Sequence, residues 1–297
     1  MKWFSFFGKK ETEQRSDQPA SSPLPPKPSS LPEQPFKGIT LSSELLSVAP
    51  QILQSGLPFV RIKATPAETL GVTQSKFAGV PYWPKGLSYP TDSEGQYLFL
   101  LAQINFAEVP PLAGYTGKGI LQFFISVNDV YGIDFDNPTS QKDFRLVFHE
   151  EVDEANAEKE FAFLNTMDLK YVPLDKMMQL RFEPDVDYVG VEDVRFEKNF
   201  GLEVLPFTEQ FGEKGDDVFN ELYELFPNEG HKIGGYAYFT QADPRQSGPY
   251  EDWILLLQID SQDGIMWGDM GVANFFIHPN DLENRNFSNV LYNWDCT

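Results

Sequence analysis

Leu100-Leu101-Ala102-Gln103-Ile104-Asn105 and Leu255-Leu256-Leu257-Gln258-Ile259-Asp260 are the two stretches on which the fold turns. Each is short, apolar on both faces and broken by one glutamine, the pattern of a strand buried inside a sheet. Their flanks recur in the same order. Upstream, Lys76-Phe77-Ala78-Gly79-Val80-Pro81-Tyr82-Trp83 matches Lys232-Ile233-Gly234-Gly235-Tyr236-Ala237-Tyr238-Phe239. Downstream, Gly119-Ile120-Leu121-Gln122-Phe123-Phe124-Ile125 matches Gly271-Val272-Ala273-Asn274-Phe275-Phe276-Ile277, and the match runs on to Asn128-Asp129 and Asn280-Asp281. The offsets are 156, 155 and 152 residues, a slow drift of the kind loop insertions make. Three blocks in one order indicate an internal repeat.

One unit can be read physically. Gly79 and Gly235 suit a turn before an aromatic strand. The Leu-Leu-x-Gln-Ile strand follows, then a glycine-led turn and a Phe-Phe-Ile strand that stops at Asn-Asp. Strict alternation puts Gln103 on the face of Leu101 and Gln258 on the face of Leu256. Each unit is thus a small antiparallel meander with an apolar face, and two units packed together cover it. The fold class is mainly β, a β-rich α+β chain, with few helices. Ser43 to Gln54 is amphipathic with Pro50 inside it, Asp216 to Phe226 has acids at its start, and Asp281 to Phe287 allows one short turn. The expected body is residues 37–297, with units at about 66–185 and 186–297.

The chain has 297 residues, 26 of them Phe, and a formal net charge of −21. Residues 1–36 hold five basic and four acidic side chains, so the body carries −22. That field repels phosphate backbones, excludes nucleic acid as the expected ligand and attracts a basic protein partner. Cys296 is the single cysteine, so no internal disulfide forms, which fits a reducing, cytoplasmic setting. No apolar run reaches the roughly 18 residues of a membrane span. Residues 11–36 read as a Pro- and Ser-rich spacer. Trp3, Phe4, Phe6 and Phe7 are too short a run for an export signal. They read as a frayed end or as a weak peripheral membrane contact flanked by Lys2, Lys9 and Lys10.

Ser75-Lys76-Phe77-Ala78-Gly79-Val80-Pro81-Tyr82-Trp83-Pro84 and Leu100 to Asn105 resemble the opening motifs of the YwqG-like proteins. Trp267-Gly268-Asp269 through Ile277, and the tail Phe287 to Cys296, resemble the closing ones. The resemblance covers roughly residues 40–297. It implies a mainly β bacterial domain of unknown function and carries over no catalytic residue.

No standard catalytic constellation stands in the chain: no G-x-S-x-G, no H-E-x-x-H and no G-x-x-x-x-G-K-S/T. His149, His231 and His278 are not paired at metal-ligand spacing, so no metal or cofactor is expected. Asp134-Phe135-Asp136-Asn137 begins like a calcium loop but has Thr139 where glycine is required. The repeated polar residues carry the remaining signal. Gln103 and Gln258, with Asn105 and Asp260 two positions on, are either paired structural amides or the floor of a cleft between the units. Trp267 and Asp269 have no counterpart in the first unit and offer a stacking platform with a carboxylate, or a core plug. Three functions follow as expectations. The first is a non-enzymatic binding protein with a basic partner, acting as inhibitor or adaptor. The second is a small-molecule binder or hydrolase using the cleft. The third is a membrane-peripheral scaffold through residues 1–10.

Overall fold

The computed structural model describes residue 36 and residues 38–246 and 248–297. The readings of the leader and of its membrane contact lie outside those residues. Among the described residues, no helix is long and apolar enough to cross a membrane.

Ten strands form one antiparallel sheet: β1 Leu57–Pro66, β2 Lys76–Phe77, β3 Phe99–Asn105, β4 Ile120–Ile125, β5 Phe144–His149, β6 Met178–Asp187, β7 Lys232–Gly234, β8 Ile254–Asp260, β9 Val272–Ile277 and β10 Val290–Asp295. Their order is β10-β9-β8-β7-β1-β6-β2-β3-β4-β5. The expected meanders are the two ends, β2–β5 and β7–β10. They do not simply stack as separate layers. Two ten-residue strands, β1 and β6, join them edge to edge in the middle and remove what would be exposed edges.

These two strands are exchanged. β1 precedes the first half but pairs with β7 of the second, and β6 precedes the second half but pairs with β2 of the first. The expected boundary at residues 185 and 186 therefore falls inside β6, which belongs to the sheet as a whole. Arg61 stands opposite Lys232 as Gln179 stands opposite Lys76, an offset of 118 residues. The same offset carries Lys63 onto Arg181, and those two face each other. A pseudo-twofold axis therefore passes through the Lys63–Arg181 pair.

Register repeats closely in the halves. Lys76 faces Gln103 and Lys232 faces Gln258; Gln103 faces Gln122 and Gln258 faces Asn274. Both inner strands carry a bulge at the same place, between Leu100 and Ala102 and between Leu255 and Leu257. The bulge corrects the strict-alternation reading. One extra residue reverses the parity, so Gln103 lies on the face of Leu100, opposite Leu101. Gln258 likewise shares the face of Leu255. A second correction concerns the segments after Gly79 and Gly235. Both glycines have positive φ, +84° and +76°, but the aromatic residues beyond them form no regular strand.

The sheet curls into a half-barrel, and its inner faces meet. Phe123 packs on Phe275 at 4.9 Å and Phe144 on Tyr292 at 5.2 Å between ring centres. Leu101, Ile104, Leu256, Ile259 and Trp267 complete that core. Burial on this scale, at about 25 cal/mol per Å² of apolar surface, dominates the stability of the fold. The helices are short: α1 Ser43–Ser47, α2 Ala49–Gln54, α3 Phe196–Phe200, α4 Val204–Glu209, α5 Gly215–Leu225 and α6 Pro279–Glu283. Pro50 occupies the first turn of α2, where its missing N–H costs nothing, so the expected single helix is split in two. Pro279 likewise starts α6 two residues before the expected Asp281, with His278 accepting from Asn280 N. Helices α1 to α5 cover the middle of the outer face around Tyr188 and Tyr236.

Candidate functional site

The two glutamines act as clamps. Gln103 Oε1 accepts from Tyr82 N (2.7 Å) and Gln122 Nε2 (2.8 Å), and its Nε2 donates to Val72 O and Gln74 O. Gln258 Oε1 accepts from Tyr238 N (2.8 Å), and its Nε2 donates to Asn228 O and Gly230 O. These bonds hold the irregular segments that replace the expected aromatic strands. β2, β6, β1 and β7 lie between the two glutamines, so they do not floor one cleft. Asn105 is engaged with Thr73 O and Ala107 N, and Asp260 with Gly230 N and Ser261 N. Trp267 is fully buried against Tyr131 and Trp294, a plug of the inner core. Asp269 is exposed, and its backbone carbonyl accepts from Thr297. The structure does not bring these six residues together.

A cavity between the halves does exist, on other residues. About 100 Å³ is enclosed by Leu112 and Tyr115 from the β3–β4 connection, Gly234, Gly235, Tyr236 and Ile254 from the second half, and Ser55, Pro58, Arg195 and Asn199. Local chemistry builds each wall. The consecutive positive φ values of Gly234 and Gly235, +74° and +76°, turn the chain sharply after β7 and present Tyr236. Tyr236 Oη donates to Ser55 O at 2.7 Å, tying the end of α2 to the wall. Tyr115 Oη donates to Leu255 O, pinning a loop of the first half onto a strand of the second. Burial raises both phenols well above their ordinary range, so both stay neutral.

The polar wall is the Arg195 guanidinium, 4.3 Å from the Tyr236 ring centre. Its Nε and Nη2 donate to Asp193 at 2.8 and 2.7 Å. Nη2 also reaches Gly235 O, and among the described residues nothing accepts from Nη1. Behind it stands a buried network. Arg245 forks onto Asp243 and also donates to Asp193 at 2.8 Å. Burial alone would raise the Asp193 carboxyl, but Arg195 and Arg245 overcome that and hold it below the usual carboxylate range. Sequence reasoning missed these four residues. The signal was a repeated Asp-x-Arg, Asp193-Val194-Arg195 and Asp243-Pro244-Arg245. In each, aspartate Oδ1 accepts from both the backbone N and Nε of the arginine two positions on.

His149 ends β5 under Tyr82 and Trp83, whose rings meet it edge-on at 5.2 and 5.4 Å. Burial holds its imidazole down at about 4. Between that value and its ordinary 6.5 the unfolded chain binds a proton that the folded chain does not. The resulting stability is present above pH 6.5 and is lost as pH falls through 4. Because the ring is not fully shielded, the expected contribution is about 1–2 kcal/mol. Urea denaturation of wild type and His149→Gln at pH 7 and pH 5 checks this: the variant should lose less stability on acidification.

The fold and the cavity define a curled antiparallel sheet of two like halves with an apolar chamber at their junction. Residues 75–296 match the family described as "Domain of unknown function (DUF1963)". The chain belongs to that family. No curated protein matches it.

Proposed function

We propose that the chain is a binding protein whose inter-half cavity receives the end of a small, largely apolar molecule bearing one acceptor group, a carbonyl or carboxylate. The observation that carries this is the uncommitted Nη1 edge of Arg195 in an otherwise apolar chamber. Apolar walls supply affinity and one placed donor supplies orientation. A cavity smaller than the roughly 150 Å³ that admits benzene suits a branch of about four heavy atoms. Affinity for so small a group is then weak, on the order of 0.1–1 mM. Short carboxylates, butanoate to hexanoate, should raise the melting temperature in a saturable way. Leu112→Trp, which fills the chamber, should abolish that shift. The reading fails if neither the acids nor their methyl ketone analogues shift the transition in wild type, or if Leu112→Trp leaves the shift intact.

The acidic surface supports a second reading, a basic protein partner. Among the described residues, a polar recess lined by Asp92, Glu94, Asp143 and Asp168 contains no lysine or arginine. The resemblance of the Ser75–Pro84 and Trp267–Ile277 motifs to the YwqG-like proteins is the finer family assignment proposed here. The cytoplasmic setting and a domain spanning residues 37–297 belong to the same proposal.

A further inference from the structure

The two halves differ at one equivalent position, and the difference sets acceptors where a donor stood. Register fixes the equivalence. His149 faces Ile120 as Asp295 faces Val272, and Gln122 and Asn274 lie two residues further along β4 and β9 on the same faces.

In the first half Gln122, Gln103 and His149 match one another. Gln122 Nε2 donates to Tyr82 O (2.6 Å) and Gln103 Oε1 (2.8 Å), so its Oε1 must accept. His149 Nε2 lies 3.0 Å from that oxygen and therefore carries the hydrogen. Asp153 N donates to Tyr82 Oη and closes the pocket over.

In the second half Asn274 keeps the first of these bonds, Nδ2 to Tyr238 O at 2.9 Å. Its Oδ1 has no donor, although the residue is 0% exposed. Asp295 puts a second acceptor where the imidazole would be. Its Oδ1 accepts from Thr240 N (3.0 Å) and Thr240 Oγ1 (2.7 Å), whereas Oδ2 has no donor, in a residue 8% exposed. Glu192 stands near enough that burial and then Asp295 push its carboxyl up to about 7. Tyr238 is only part-buried, unlike its counterpart Tyr82. Among the described residues no cation pairs with Glu192 or Asp295; Arg245, stacked on Phe276 of the same face, is committed to Asp243, Asp193 and Trp253 O.

We propose that Asn274 Oδ1 and Asp295 Oδ2 form a site for a protonated nitrogen, the ammonium or guanidinium group of a ligand, with the part-buried Tyr238 next to it. The occupant is a donor because both facing atoms only accept. It is cationic because an uncompensated carboxylate at this depth is costly. It is organic rather than metallic: among the described residues no group of three or more His, Cys, Asp or Glu is arranged to hold an ion.

The test is a titration of ¹⁵N-labelled full-length protein at pH 7.5 with n-butylammonium, agmatine and a Gly-Arg-Gly amide, following the Asn274 side-chain amide. Saturable shifts are expected with at least one probe and none with n-butanol. Asp295→Asn should weaken binding at least tenfold. Glu192→Gln, at a half-buried residue, should weaken it about threefold. A peptide that binds at least tenfold more tightly than agmatine identifies a protein side chain as the source; equal binding identifies a small amine. Two results overturn the proposal. One is the absence of a saturable shift with all three probes. The other is an Asp295→Asn protein more stable than wild type with its Asn274 amide unmoved, which would mean that a proton on Asp295 itself satisfies the pair.

Discussion

Replacing Asp193 with asparagine is expected to cost about 3–5 kcal/mol of stability, the usual result of breaking a buried ion network from one side. Asp193 has a side-chain exposure of 1% and serves two guanidiniums. The amide would turn an N–H₂ group towards Arg195 or Arg245 and leave one buried positive charge without its counter-charge. Urea denaturation gives the number. The comparison that makes it informative is Glu183→Gln, which removes the Lys63–Glu183 pair. Its side chains are 56% and 54% exposed, and loss of such a surface pair costs about 0–1 kcal/mol. Equal costs would show that the network does not hold the wall of the cavity. Replacing all four network residues by apolar ones of similar volume is a different experiment, since such exchanges are often neutral.

Gly235→Ala is expected to be nearly as damaging, and Gly79→Ala much less so, although the two glycines are equivalent. Both have positive φ, where a Cβ costs roughly 1–2 kcal/mol. The difference is what the new methyl meets. At Gly235 it would lie 2.3 Å from Asp187 Oδ2 and 2.9 Å from Phe59 Cβ. Asp187 is held at 2.8 Å by the buried Lys232 and also accepts from Tyr236 N, so it has nowhere to go. The expected total is about 3–5 kcal/mol, dominated by the displaced ion pair. At Gly79 the nearest atom is Met177 Sδ at 2.5 Å, the flexible end of a part-buried side chain, and about 1–2 kcal/mol of backbone strain is all that remains. Melts of the two variants side by side decide the matter. Equal losses would assign the whole effect to φ.

What the sequence disclosed follows from which interactions are local. The central strands of both halves, β3, β4, β8 and β9, were legible because a buried strand leaves a dense apolar run and the run occurs twice. α5 was legible within a residue at either end, because its apolar stripe, acidic first turn and following Pro227 agree. The bulges at Leu101 and Leu256 were not, because an extra residue in a strand leaves no mark in an apolar run. They reversed the facing of both glutamines, and the four strands between the two removed the expected cleft. α3 and α4 went unread because they are single turns set by packing of Phe196, Phe200 and Phe207 on one another. The true cavity drew its walls from five separate segments, and only the doubled Asp-x-Arg could have pointed to it.

The exchange of β1 and β6 has a consequence for how the chain is made. Phe59, Val60 and Arg61 leave the ribosome with one side open, because Gly234, Ile233 and Lys232, their neighbours there, come some 170 residues later. At a synthesis rate of roughly 5–20 residues per second, that is a wait of about 10–30 s. The first half, its outer strand β6 and β1 all lie within residues 57–187, so those strands can pair before the second half is made. What waits is the β7 side of β1, and that open strand edge near the start of the body must be kept from other chains until residues 232–234 arrive.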